Sequence, residues 1–285
     1  MASLPLSTDL AGRRLMIGTP MYEGMCHGAY AAMLVELGLK LRERGVPFRL
    51  SFIVNQASAD RARCLIVDEF MRSDCTHLCF IDADVVARAD DVLTMLAWQA
   101  DDTPYDVIAG SYPRKSIDWQ GVSAAAGAGV DAGRLAAFGG DMPVYLGGAA
   151  ERTIRLDQPV EAETIAAGYS MVRRATFLRM MEACPELAFE PDQRERAAHG
   201  LGEVAYAFYG PRIDPVTRRF RSEDFAFCDR VRSAGLRLWL CPTMHADHIG
   251  NHRYSGTFVD TARLLSGQPL APQANKDDHA LPTAS

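Results

Sequence analysis

The stretch Cys79-Phe80-Ile81-Asp82-Ala83-Asp84-Val85-Val86 ends an apolar run in two carboxylates spaced i, i+2. On a buried strand side chains alternate with period two, so Asp82 and Asp84 project from the same side of its end. Two like charges at a sheet rim repel and lose hydration. A divalent cation, or a pair of hydrogen-bonding hydroxyls, between them relieves both costs. The plain alternative is a loop whose aspartates cap the next helix. A second acidic pair, Glu223 and Asp224, follows Ser222 at a predicted helix start. Acids there complement the helix dipole without any catalytic role. Facing a cleft, the same position holds a general base rigidly.

His248 sits in Asp247-His248-Ile249-Gly250, just past a predicted strand, where an imidazole could complete a metal shell begun by Asp84. Carboxylate oxygens with one imidazole suit Mn²⁺ or Mg²⁺, phosphate oxygens filling the remaining positions. His245 and His252 read as ordinary polar residues, and His27, His77 and His199 have no metal spacing with a near neighbour. Tyr112-Pro113-Arg114-Lys115 places two cations after a strand, either as a phosphate clamp or as a solvated loop. Arg61 and Arg63 open a helix and face either a phosphate or solvent. The chain has no GxxxxGK[ST] loop, no GxGxxG fingerprint and no Gly-x-Ser-x-Gly elbow.

The elements that must position these groups alternate. Arg14–Gly18 reads as a strand stopped by Thr19-Pro20, Ala29–Arg44 as a helix, and Phe48–Val54 as a strand. A helix capped by Ser58 runs through Met71, with Leu65, Ile66 and Phe70 inward. His77–Ile81 is a strand, Ala89–Gln99 a helix, and Tyr105–Ala109 a strand. Such alternation implies a parallel sheet whose carboxyl-terminal edge gathers the Thr19 loop, the loop after Val54 and Asp82/Asp84 in one cleft. From Gly110 to about Val160 glycine and alanine are abundant, which reads as a loop-rich insertion with antiparallel strands. Ala166–Val172 is a strand resuming the core, Arg174–Cys184 a helix, and Phe189–Gly202 a polar, mobile stretch. A helix from Ser222 to Ser233 and a strand Leu236–Leu240, stopped by Pro242, complete the pattern.

The 285 residues are 48% hydrophobic and 23% charged, as in an ordinary globular protein, and suit one large α/β domain. There is no apolar run of membrane-spanning length and no secretory signal pattern at Met1–Arg14. The net charge of −6 argues against broad nucleic-acid binding. Cys26, Cys64, Cys75, Cys79, Cys184, Cys228 and Cys241 form no CxxC and read as small core residues in a reducing compartment, with the cytoplasm as expected location.

In order and spacing these parts resemble a bacterial and phage group of GT-A glycosyltransferases, family-2-like. The likeness rests on Thr19-Pro20 after the first strand, Phe80-Ile81-Asp82-Ala83-Asp84 after the third, Ser222-Glu223-Asp224-Phe225-Ala226-Phe227-Cys228 opening a late helix, and Asp247-His248-Ile249-Gly250. It covers roughly residues 13 to 256 and is weakest between 116 and 160. The resemblance implies a single GT-A domain over residues 13–262, with a nucleotide-binding half at 13–112, an acceptor half at 113–262, and a disordered tail at 263–285. It implies that Asp82-Ala83-Asp84 is a DxD motif, with Asp84 a direct ligand to Mn²⁺ or Mg²⁺ and Asp82 toward the ribose or metal. His248 is then the further metal contact. Thr19, Pro20 and Tyr22 line the base pocket, and Gly168-Tyr169-Ser170 lies under the donor sugar or acceptor. Arg63 and Lys115 join the nucleotide-sugar contacts. Asp224, or Glu223, takes the acceptor proton if the reaction inverts. Asn251–Thr257 is the expected shielding loop.

The implied activity is metal-dependent transfer of a sugar from a nucleotide sugar, UDP-linked by default, to a hydroxyl of a glycan, lipid-linked sugar, protein or modified DNA base. Two other readings stand beside it. A haloacid-dehalogenase-type phosphatase would use Asp82 as nucleophile, although its motif normally ends the first core strand. A non-catalytic domain would bind a nucleotide sugar or carbohydrate without turnover.

Overall fold

The computed structural model describes residues 10–147, 155 and 158–270. Expectations that fall on residues 1–9, 148–154, 156–157 or 271–285 lie outside the described residues. The first half runs β1 (Leu15–Met21), α1 (Gly28–Glu43), β2 (Phe48–Val54), α2 (Ala59–Arg72), β3 (His77–Ile81), β4 (Val85–Val86), α3 (Ala89–Trp98), β5 (Val107–Ser111) and α4 (Trp119–Gly127). The second half opens with β6 (Val160–Ala162), β7 (Tyr169–Arg173), α5 (Arg174–Ala183), β8 (Ala188–Phe189), α6 (Gln193–His199) and β9 (Ala205–Tyr206). It ends with β10 (Arg212–Ile213), β11 (Phe220–Arg221), α7 (Glu223–Ser233), β12 (Leu238–His245), β13 (Asp247–Ile249), β14 (Arg253–Tyr254) and α8 (Phe258–Leu265).

The protein is a mixed α/β fold built on a seven-stranded sheet in the order β2-β1-β3-β7-β5-β12-β6. β1 pairs in parallel with β2 and β3, and β5 with β12, while β7 runs antiparallel between β3 and β5 and β6 antiparallel to β12. Helices cover both faces. α1 and α3 pack Leu37, Leu41, Val92 and Leu96 over one face, and α2, α5 and α7 pack Ile66, Phe70, Phe177 and Phe227 over the other. Each of these side chains is essentially inaccessible to water, and full burial of one contributes about 1.5–3 kcal/mol. All five residues of β3 are buried, as a strand covered on both faces requires.

Two prolines expected to end strands lie inside them. Pro20 is in register with Ile53 of β2, whereas the ladder to β3 stops at Gly18. Pro242 falls in the stretch between Cys241 and His245 where the β12–β5 register shifts, past the last residue paired with β6. Proline lacks a ladder donor, and both positions are ones where no second neighbour needs it.

Two further expectations are corrected. The Ala-Gly run after Gly110 holds α4, its first turn capped by the Asp118 carboxylate accepting from the Gln120 and Gly121 amides. Alanine's helix preference outweighs the glycines there. Near Gly140 and Tyr145, among the described residues, only isolated bridges form, to Ile117 and Thr164. The stretch 189–202 is not shapeless, because Asp192 and Glu195 form a capping box on α6 and Gly200 closes it in the left-handed region. Arg61 donates to Glu195 from Nε at 3.0 Å and from Nη2, so it is spent tying α2 to α6. The last described helix is α8, Phe258–Leu265.

Candidate active site

The carboxyl-terminal ends of β1, β3, β5 and β12 meet at one edge, where the loop after β1 is tied to the turn after β3 by His27 N–H donating to the Ala83 carbonyl at 2.9 Å. β3 ends at Ile81, and Asp82–Asp84 form a turn closed by Val85 N–H to the Asp82 carbonyl at 2.9 Å. That turn gives the two carboxylates different surroundings. Arg63 Nη2 lies 2.8 and 2.9 Å from the two oxygens of Asp82. The guanidinium is buried, and burial alone would lower its pKa. Asp82 and Asp224 outweigh that and raise it.

Asp84 is approached instead by Lys115 and His248. The Lys115 ammonium bonds Asp84 Oδ2, and His248 Nε2 lies 3.5 Å from Oδ1. Burial works against the charged carboxylate, but the bonds from His248 and Lys115 prevail and hold it at about 2. β13 delivers His248, being antiparallel to β4 with His248 opposite Val85, and Ile249 N–H donates to the Asp84 carbonyl at 2.7 Å. The Pro113 carbonyl, which can only accept, lies 2.9 Å from His248 Nδ1, so that nitrogen carries a proton. Nδ1 being turned to that carbonyl, Nε2 is the ring nitrogen that would meet a divalent cation beside Asp84, an oxygen–nitrogen pair of suitable ligand type. Among the described residues no group of three or more His, Cys, Asp or Glu is gathered as a metal-binding set. Asp84 and His248 are together, and Asp82 is engaged by Arg63.

Across the same edge a cleft of about 210 Å³ is lined by residues that include Tyr112, Arg114, Tyr145, Asp224, Phe225 and His248. Asp224 stands in the first turn of α7, and its Oδ1 accepts from the Ala167 amide at 3.2 Å. Burial pushes its carboxyl up to about 6, with Arg63 opposing and Glu223 and Asp82 reinforcing the rise. Such a carboxylate is ionised at neutral pH and still basic enough to accept a proton. Glu223 is partly exposed beside it.

Gly168 sits where no side chain fits. A Cβ there would lie 2.3 Å from Asp82 Oδ2 and 2.5 Å from the Tyr112 hydroxyl, while its carbonyl accepts from Asp82 N–H at 3.0 Å. Of the residues expected at a base pocket, Thr19 is fully buried with its hydroxyl bonded to that of Tyr30, whereas Pro20 is partly exposed and Tyr22 is 60% exposed. Asn251–Thr257, the expected shielding loop, contains part of the turn between β13 and β14, β14 itself and the three residues after it.

Sequence reasoning missed Tyr112, Tyr145 and Phe225 as cleft-lining residues. Tyr112 packs edge-on to His248 with ring centroids 5.3 Å apart, and burial raises its phenol pKa well above the ordinary value. Its place directly after β5 was the available signal. Tyr145 and Phe225 meet with centroids 5.8 Å apart across a sequence gap that no local pattern spans.

No family model matches the chain, and no curated protein matches it. Among solved structures the chain is similar to the crystal structure of GalNAc-T7 with UDP, GalNAc and Mn²⁺, at 12% identity and a TM-score of 0.41, over 89% of this chain and 47% of that one. It is also similar to S. aureus TarS residues 1–349, at 10% identity and a TM-score of 0.34, over 90% of this chain and 64% of that one. The chain thus spans about half the length of the first and under two thirds of the second. Both likenesses are remote, and no residue's role follows from them. Among the described residues no helix is long and apolar enough to cross a membrane.

Proposed function

We propose that this protein is a GT-A-type glycosyltransferase that moves a sugar from a nucleotide sugar, UDP-linked by preference, to an acceptor hydroxyl. The observation that carries the reading is one cleft with Asp224 on its wall and His248 beside Asp84 at its edge. Asp224 supplies the proton acceptor for the attacking hydroxyl. Breaking the sugar–diphosphate bond builds negative charge on the leaving group, and Lys115 at Asp84 brings positive charge to that end. Asp84 and His248 would hold Mn²⁺ or Mg²⁺, and the chemistry such an ion supplies is Lewis-acid neutralisation of that charge. Asp82, held by Arg63 and backed by Gly168, shapes the floor toward the ribose. Tyr22 and Pro20 offer surface to the base.

The rival use of Asp82 as a phosphatase nucleophile is less well supported, because Arg63 contacts both of its oxygens. A thermal-shift screen of nucleotide sugars with and without Mn²⁺ tests the reading. Ligand at a hundred times its Kd stabilises by about 2.7 kcal/mol, roughly a 5–10 °C rise for a chain of this size. The expected rise requires both the metal and one donor, and Asp84→Ala removes the metal requirement together with the rise. A screen in which no nucleotide sugar moves the midpoint with either cation sinks the proposal. Binding without any sugar transfer to supplied acceptors would favour the non-catalytic reading.

A further inference from the structure

The β10–β11 hairpin carries its polarity inside out. Arg212 stands opposite Arg221 and Ile213 opposite Phe220 across the ladder, so the arginines share one face and the apolar pair the other. The arginine face meets the body of the protein. Arg212 Nη2 lies 3.4 Å from Asp229 Oδ2, and Arg221 donates to the same carboxylate from Nε and Nη2 at 2.9 Å each. The apolar face meets solvent. Ile213 is 48%, Phe220 68% and Val216, in the turn, 88% exposed. A ribbon lying on a domain ordinarily buries its apolar side, and a clustered apolar surface marks a binding face.

The turn adds cations. Arg218 and Arg219 are exposed, and no bond or ion pair engages either side chain among the described residues. Arg218 adopts φ 58°, a left-handed conformation that Gly or Asn ordinarily fills. The Asp214 carboxylate holds the turn by accepting from the Val216 and Thr217 amides at 3.0 and 2.6 Å.

We propose that this hairpin docks the protein on an anionic lipid bilayer. Ile213, Val216 and Phe220 enter the boundary between headgroups and acyl chains, and Arg218 and Arg219 pair with lipid phosphates. Three apolar side chains fall far short of the roughly 1,000 Å² that a stable protein partner covers. A bilayer accepts a few apolar side chains flanked by cations without needing a complementary shape. The whole chain carries a net charge of −6 and is repelled by an anionic surface, so the local pair of free arginines selects the face that approaches. β11 runs directly into Ser222 and α7, which places the helix start bearing Asp224 next to the membrane surface. The docking does not depend on the proposed sugar transfer.

Co-sedimentation of the full chain with phosphatidylcholine vesicles, with and without about 30% phosphatidylglycerol, tests this. The expected result is partition at least about tenfold greater onto the anionic vesicles, falling with salt. Val216→Asp with Phe220→Asp, and separately Arg218→Ala with Arg219→Ala, should each lose most of that binding. All four positions are exposed, so unchanged circular dichroism and melting are expected of both variants. Absence of pelleting on anionic vesicles, equal pelleting on neutral ones, or variants that bind like the parent protein would each overturn the proposal.

Discussion

The two acidic pairs stand at one edge of the sheet and are treated oppositely. At the turn after β3, bonds from His248 and Lys115 outweigh burial and hold Asp84 at about 2, and Asp82 lies against a buried arginine. At the start of α7, burial outweighs the Arg63 charge and lifts Asp224 to about 6. One region keeps Asp84 charged so that it can hold positive charge, and the other keeps Asp224 basic so that it can take a proton. Titratable groups whose surroundings drive them apart are how one site divides acid–base roles.

The sharpest way to break the comparison is Asp224→Asn, which keeps the shape and removes the base. Sugar-transfer turnover should fall by about 10²–10⁴-fold with donor binding retained, read as nucleotide released per enzyme. Undiminished turnover would deny Asp224 its role. In the parent protein kcat/KM should rise with pH and level off above about 6, because the base works only after losing its proton. A profile flat from pH 5 to 8 counts against it.

Arg63→Met is expected to cost about 3 kcal/mol in urea unfolding, since it strands the partly buried Asp82 carboxylate. Gly168→Ala should cost about 1–3 kcal/mol, because its new Cβ must displace Asp82 or the Tyr112 hydroxyl. A melting point unchanged by the alanine would mean that the two side chains can part freely.

The smallest effects sharpen the contrast through stability against pH. A carboxyl raised to about 6 favours the folded state when protonated, and that contribution fades as pH climbs from about 4 through 6. Asp224→Asn should therefore stabilise the fold at pH 7, by about 1–2 kcal/mol. Asp84 is lowered, so its contribution is present above the ordinary carboxyl value and fades as pH falls toward 2. Asp84→Asn should lose at most about 1 kcal/mol at pH 7, since its ion pair is partly exposed. Same-sign shifts in the two variants would erase the distinction.

Local pattern was a good guide where the cause of structure is local. β2 and β3 begin and end where periodicity places them, and α2 turns Leu65, Ile66 and Phe70 inward as its spacing requires. Pro20 and Pro242 misled because their tolerance depends on which neighbouring strand is missing, a fact held elsewhere in the chain. The position of β7 between β3 and β5 has the same origin. At the site, the types and order of Asp84, Asp224 and His248 were visible, and the structure brings all three to one edge. The partner of Arg63 was not visible. A buried arginine reads alike whether it awaits a phosphate or holds Asp82, and only the approach of Gly168 and Tyr112 to that carboxylate separates the cases.

β7 also sets an order in time. β3 is complete at Ile81, yet the strand that covers its second edge begins at Tyr169, and the segment between includes β5, which waits for the same partner. At a synthesis rate of about 5–20 residues per second, the nascent sheet holds these two edges open for several seconds. During that interval β2, β1 and β3 can assemble around α1 and α2, but Asp82 has no Gly168 behind it. The Asp82 amide meets its Gly168 acceptor only when β7 joins the two halves of the sheet. A ribosome stalled before residue 169 should therefore present an exposed strand edge, and it is there that a chaperone would find the chain.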